Sequence, residues 1–118
     1  PNVIYDPVGG SYSEPCLRSI AWEGRFLVIG FAAGADQIPK MPLNLTLLKG
    51  CQIVGVFWGA WVGMHPEENK KNFEELFKLH SEGKINPEVS DSFTLDDGAL
   101  AIAHLKDRKA KGKVIIEI

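Results

Sequence analysis

Phe26-Leu27-Val28-Ile29-Gly30-Phe31-Ala32-Ala33-Gly34 is the stretch that decides the fold. Four apolar residues run without a break and stop at a turn built from small residues. A half-wet strand alternates apolar and polar positions, whereas an unbroken run fits a strand buried on both faces of a parallel sheet. Upstream, Val3-Ile4-Tyr5 is a second β-rich run, closed by Asp6-Pro7 and Gly9-Gly10. Between the two lies a helical stretch. Ser11-Tyr12-Ser13-Glu14 has the pattern of a capping box, Leu17, Ile20 and Ala21 supply an apolar face, and Gly24 stops it. Downstream, Pro42 opens a helix bearing Leu43, Leu47 and Leu48 before Gly50, and a third strand runs over Ile53–Trp58 to Gly59.

The pattern continues to the end of the chain. His65-Pro66-Glu67-Glu68 has proline and acids where a helix start favours them, and Phe73, Leu76, Phe77 and His80 recur at helical spacing up to Gly83. A loop with Pro87 and a strand-like Phe93 follow. Thr94-Leu95-Asp96-Asp97 then starts a helix carrying Leu100, Ala103 and Leu105, and Val114-Ile115-Ile116 closes the chain as a strand after Gly112. Strands alternating with helices imply an α/β fold with a parallel sheet and flanking helices. Near Gly83-Lys84 the chain turns from glycine-rich to polar, which places a boundary between residues 1–83 and 84–118.

The 118 residues are 45% hydrophobic and 24% charged, which suits an ordinary globular domain rather than a disordered or fibrous chain. A net charge of -2 disfavours nucleic-acid and membrane-surface binding, since both need a basic patch. No apolar stretch approaches the ~20 residues that a bilayer span needs. Cys16 and Cys51 could form at most one bridge, so a reduced, cytoplasmic protein is expected, with both cysteines as small buried hydrophobes. A start at Pro1, directly on strand-like residues and without signal peptide, reads as a piece cut from a longer chain.

The chemical signal lies in three turns at strand ends: Asp6 to Gly10, Gly30 to Gly34 and Phe57 to Gly59. Ligands of open α/β sheets bind beyond the carboxyl ends of the strands, so these turns are expected to line one crevice. No Gly-x-Gly-x-x-Gly and no phosphate loop is present, so the chain does not hold a pyrophosphate in the usual way. His65, His80 and His104 are scattered and no Cys-x-x-Cys occurs, so no metal set is expected. His104, among acids and lysines, reads as solvated, and Tyr5 and Tyr12 as core or surface residues rather than proton donors. Trp58 and Trp61 suit a core or an interface, and an edge strand there could pair with its twin across a two-fold axis.

Ile4-Tyr5-Asp6-Pro7-Val8-Gly9-Gly10, Leu17 to Arg25, Val28 to Gly34, Pro42-Leu43-Asn44, Leu47 to Gly50, Gly55 to Gly59 and Gly112-Lys113-Val114 come in the order of a known family. The chain resembles the zinc-free NADPH:quinone oxidoreductases of the medium-chain dehydrogenase/reductase superfamily. That resemblance implies the second half of a Rossmann-type sheet in residues 1–83 and the helix and strand of the catalytic domain's return segment in 84–118. It implies hydride transfer from NADPH to a quinone or enone without metal, and a homodimer paired through Ile53–Trp58. It further implies that Asp6, Pro7, Val8, Gly9, Gly30, Phe31, Ala32, Val56, Phe57, Trp58 and Lys113 lie along the nicotinamide end of the cofactor. With the phosphate turn and most of the catalytic domain preceding Pro1 in the family, the chain alone is expected to be inactive and Val114-Ile115-Ile116 to lack a partner strand. The alternative is a non-catalytic α/β module that self-associates through its edge strand.

Overall fold

The computed structural model describes residues 1–118, which divide into two compact units, Pro1–Pro66 and Glu67–Ile118. The first is built on β1 (Val3–Asp6), β2 (Arg25–Val28) and β3 (Gln52–Gly55), which form a parallel sheet in the order β1-β2-β3. Val3, Arg25 and Gln52 stand in one register row, and Asp6, Val28 and Gly55 in the last. The continuous apolar run therefore forms the central strand, as its composition requires. Helices α1 (Ser13–Ser19) and α2 (Asn44–Lys49) supply Leu17 and Leu45, which with Ile20, just after α1, bury Phe26 of β2. Ile4, Cys16, Val28, Met41 and Cys51 pack around this cluster, so both cysteines serve as half-buried apolar side chains and remain unpaired.

Several expectations need correction. Alternation along the strands puts Ile4, Phe26 and Ile53 on one face and Val3, Tyr5 and Val54 on the other. The first carries the core at Phe26 and Ile4, though Ile53 at its edge is exposed; Val3, Tyr5 and Val54 of the other face stay exposed, because both helices contribute to the same cluster. The apolar run of β2 thus has one face packed on the core rather than two. No capping box forms at Ser11–Glu14. A short 3-10 turn, Gly10–Tyr12, leads into α1, the Ser13 hydroxyl donates to Asp6, and Glu14 accepts from Arg18 one turn on. The third strand ends at Gly55, not at Trp58. Phe57 and Trp58 lead into α3 (Trp58–Met64), whose first bond runs from the Trp61 amide to the Phe57 carbonyl.

In the second unit, α4 (Pro66–Ser81) starts at its proline with Glu67 and Glu68 in the first turn, as read from the sequence. Gly83, at φ 69, follows it in the left-handed conformation that suits a residue without Cβ. β4 (Val89–Thr94), α5 (Gly98–Lys106) and β5 (Lys113–Glu117) then make a strand-helix-strand unit with β4 and β5 parallel. Val114-Ile115-Ile116 is accordingly partnered rather than orphaned: Ile115 pairs with Ser92 and Ile116 with Phe93. Val89-Ser90-Asp91-Ser92-Phe93-Thr94 hides its strand character behind Ser and Asp, which are depleted from strands. Gly112 lets the chain turn into β5 against Glu88, whose carbonyl would lie 2.5 Å from a Cβ placed there. Its amide donates to Ser90 Oγ and the Lys113 amide to the Glu88 carbonyl. His104 is half-buried rather than solvated: its ring lies 5.7 Å from that of Phe93, and Nε2 comes within 3.2 Å of Asp91 Oδ2, out of line for a hydrogen bond. The Ser90 hydroxyl donates to the same Asp91 oxygen and, with His104 nearby, holds that carboxyl below the ordinary range.

A candidate cofactor groove at the strand ends

Because β1, β2 and β3 are parallel and end in one register row, their following turns emerge side by side. The first two are laced together by main-chain bonds. The Asp6 carbonyl accepts the amides of Ile29 and Gly30, the Pro7 carbonyl that of Ala32, and the Val8 carbonyl that of Ala33. The Val56 amide donates to the Val28 carbonyl and ties the third strand end to the second. Between them lies a groove of about 500 Å³ lined by Val28, Ile29, Gly30, Phe31, Gly55, Val56 and Phe57. Phe57 is 81% exposed and Phe31 43% exposed, so both rings are offered to a ligand.

No ionisable side chain lines this groove. Its walls are aliphatic groups, two rings and bare glycine backbone, which suit a flat ring at close range and offer neither acid nor base. A smaller cavity of about 120 Å³, lined by Phe26, Phe31, Met41 and Ile53 among others, reaches Asp6 and Ser13 on the core side of the sheet. A further concavity, about 580 Å³, lies along α1 and Gln37–Lys40 and is lined by Glu14, Arg18 and Lys40 among others. Of the strand-end turns it meets only Gly10, and Arg18 and Glu14 in its lining form an ion pair.

Asp6 braces the first turn. Its Oδ1 accepts the amides of Val8 at 3.0 Å and Gly9 at 2.8 Å, and Oδ2 accepts the hydroxyl of the buried Ser13 at 2.7 Å. Partial burial pushes this carboxyl upward, but the donors from Gly9, Ser13 and Val8 outweigh it and hold it below the usual carboxylate range. The folded state is then the stronger acid. Its stabilising contribution is complete above the ordinary aspartate value near ~3.9 and is lost as pH falls below that and through the lower folded value. Acid titration of unfolding is expected to show this loss, and Asp6→Asn to flatten it; an unchanged acid limb in the variant would assign the loss to other carboxylates.

Of the residues picked out by sequence, Gly30, Phe31, Val56 and Phe57 line the groove, and Pro7, Val8 and Gly9 form the turn bonded to its rim. Ala32 and Trp58 flank lining residues without lining it themselves. Lys113 opens β5 of the second unit, while the groove is built within the first unit alone. Val28, Ile29 and Gly55 also line the groove and were not among the residues picked out by sequence. The signal was there in the strand register, since Gly55 is the in-register partner of Val28.

The protein-family comparison matches residues 2–116 to the zinc-binding dehydrogenase model. A quinone oxidoreductase-like protein 2 homolog of Nematostella vectensis is 38% identical over 98% of this chain and 31% of its own length. An acryloyl-coenzyme A reductase of Sulfurisphaera tokodaii is 30% identical over 98% of this chain and 32% of its own. The crystal structure of Escherichia coli quinone oxidoreductase complexed with NADPH superposes with a TM-score of 0.81 at 24% identity, over 98% of this chain and 36% of that one. The chain thus spans about a third of the length of the relatives it matches. No three His, Cys, Asp or Glu side chains of this chain cluster so as to hold a metal ion. In sequence and in fold, the chain belongs to the zinc-binding dehydrogenase family, within the medium-chain dehydrogenase/reductase superfamily.

Proposed function

We propose that the strand-end groove receives the nicotinamide half of NADPH in an enzyme that reduces quinones or related enones. The observation that carries this reading is the groove itself, an uncharged slot open on glycine backbone at the carboxyl ends of three parallel strands. Bound there, the cofactor supplies the hydride; this chain's residues orient its ring, keep water from one side and offer no proton of their own. The family's quinone oxidoreductase-like relatives and the NADPH complex of the Escherichia coli enzyme support the cofactor, and the acryloyl-coenzyme A reductase supports an acceptor alkene conjugated to a carbonyl. On this reading residues 1–83 continue a Rossmann-type cofactor domain and residues 84–118 return to the catalytic domain, in a cytoplasmic enzyme. Because no pyrophosphate turn lies within residues 1–118, the chain alone is inactive and binds NADPH no better than millimolar.

The test is a titration with NADPH, followed by cofactor fluorescence, of this chain and of a protein joining it to a Gly-x-Gly-x-x-Gly strand-turn-helix. Binding only in the longer protein supports the reading. Gly30→Val there is expected to weaken binding about tenfold, equivalent to ~1.4 kcal/mol, by filling the groove floor. Unchanged affinity in that variant would place the nicotinamide elsewhere.

A second proposal concerns assembly. β3 is an edge of its sheet, all four of its residues are exposed, and Phe57 and Trp58 beside it are exposed as well. The Gln52 and Val56 amides donate inward to Gly24 and Val28, so by alternation the Ile53 and Gly55 amides point outward, free to pair with a second copy. This supports a homodimer through β3, and it is also what the non-catalytic reading requires; NADPH binding separates the two. Ile53→Pro, which removes one outward amide, is expected to shift sedimentation from dimer to monomer with a small loss of thermal stability. A dimer that persists would move the interface off this edge.

A further inference from the structure

We infer that Asp6 is a positioning residue for the groove, acting through Gly9 and Phe31 rather than by touching the cofactor. This rests on the cofactor reading proposed above. The Asp6 carboxylate is fully engaged by its own fold: two backbone amides of the next turn on Oδ1 and the Ser13 hydroxyl on Oδ2. Its main-chain carbonyl meanwhile accepts the amides of Ile29 and Gly30, the first residues beyond β2. One residue thereby ties together the turn after β1, the start of α1 and the turn after β2.

Gly9 transmits this order. It sits at φ 71, and a Cβ built on it would come within 2.9 Å of Phe31 Cδ1, so the ring occupies the space that glycine leaves. Phe31 in turn lines both the groove and the small cavity that reaches Asp6 and Ser13. If the carboxylate is removed, the Val8 and Gly9 amides and the buried Ser13 hydroxyl lose their acceptor. The turn then relaxes, and the ring that forms one wall of the groove loses its backing. The effect is expected at the nicotinamide end, since these contacts lie at the strand-end turns and the start of α1.

The experiment uses a full-length, NADPH-binding protein that contains this chain, with two probes: NADPH and adenosine 2′,5′-bisphosphate, which carries the adenine half without nicotinamide. Asp6→Ala is expected to weaken NADPH by about 10- to 100-fold, the scale of an ångström-level misplacement, while the half-cofactor binds as before. Ser13→Ala is expected to lose less. Asp6→Asn is expected to recover most of the affinity, because its amide oxygen can still accept from Val8 and Gly9 and its NH2 can donate to Ser13 Oγ. Equal weakening of both probes would reduce Asp6 to a general stability role, and unchanged NADPH binding would remove it from the site. Failure of the cofactor reading looks different, because Gly30→Val would then leave NADPH affinity unchanged whatever Asp6 does.

Discussion

Phe26→Ala is expected to destabilise the chain by about 3–5 kcal/mol, the usual range for removing a fully buried aromatic side chain. Phe26 is 2% exposed, lies on the central strand, and contacts the core provided by Leu17 of α1, Ile20 just after it and Leu45 of α2. These are the four residues of the first unit's buried cluster, so the cavity cannot be shared out over a larger core. Small domains are stable by roughly 5–15 kcal/mol in all, with the lower end fitting a core this small. The loss therefore approaches the unit's whole stability, and the β1-β2-β3 sheet should go with it. Urea unfolding monitored by far-UV circular dichroism checks the outcome. Phe26→Leu, which keeps most of the volume, should cost less than about 1.5 kcal/mol. If Phe26→Ala lost under ~1 kcal/mol, the strand-and-helix cluster would not be the core.

Gly9→Ala should be the most damaging substitution in the strand-end turns. At φ 71 and ψ -143, Gly9 occupies backbone space that a residue with a Cβ enters only at a cost of about 1–3 kcal/mol. The added methyl also collides with Phe31, which adds an overpacking cost of similar size. The two parts can be separated. In the Gly9→Ala/Phe31→Ala double variant the collision is relieved and the backbone strain is not, so the coupling energy from a double-mutant cycle measures the contact. The expected signature is a total loss of about 2–4 kcal/mol in the single variant and partial recovery in the double, read by thermal unfolding. Additive effects would mean that Gly9 and Phe31 are independent, and the path from Asp6 to the groove would be broken at that step. In an NADPH-binding protein containing this chain, the single variant should also weaken the cofactor.

The contrast between these two sites follows from what each asks of the chain. Phe26 is needed for its volume, and several apolar residues could approximate it. Gly9 is needed for a conformation and an absence of atoms, and no other residue supplies both. The same reasoning covers Gly50, at φ 55, where the Gly50 and Cys51 amides bond back to Leu47 and Thr46 to end α2. It was legible from the sequence because glycine after a helix has so specific a use.

Helix α3 shows how a correct local signal can be outvoted. Trp58, Trp61, Val62 and His65 stand at i, i+3, i+4 and i+7, a helical pattern. Two tryptophans next to Val56-Phe57 nevertheless look like strand, because aromatic residues favour pleated surfaces. The helix won through its hydrogen bonds, with the Trp61 amide on the Phe57 carbonyl and the His65 amide on the Trp61 carbonyl, and through stacking of Trp61 on His65 at 5.1 Å. The consequence is functional: Phe57 becomes the hinge between strand and helix, and its ring, 81% exposed, is left over the groove.

By itself the sequence determined the alternation of strands and helices, the identity of the central strand, and the small-residue turns that border the candidate groove. Those are local matters, written in runs of four or five residues such as Phe26 to Ile29 and Gly30 to Gly34. The parallel register that brings Gly55 beside Val28, the single covered face of the sheet, and the pairing of β5 with a polar β4 were decided by tertiary structure. So was the fate of side chains that sequence left open. Ser13 bonds to Asp6, no capping box forms at Ser11–Glu14, and His104 packs on Phe93 beside Asp91. A strand's composition states that it will be buried, but only the elements that reach it in space determine which face, against what partner, and with which polar atoms left to satisfy one another.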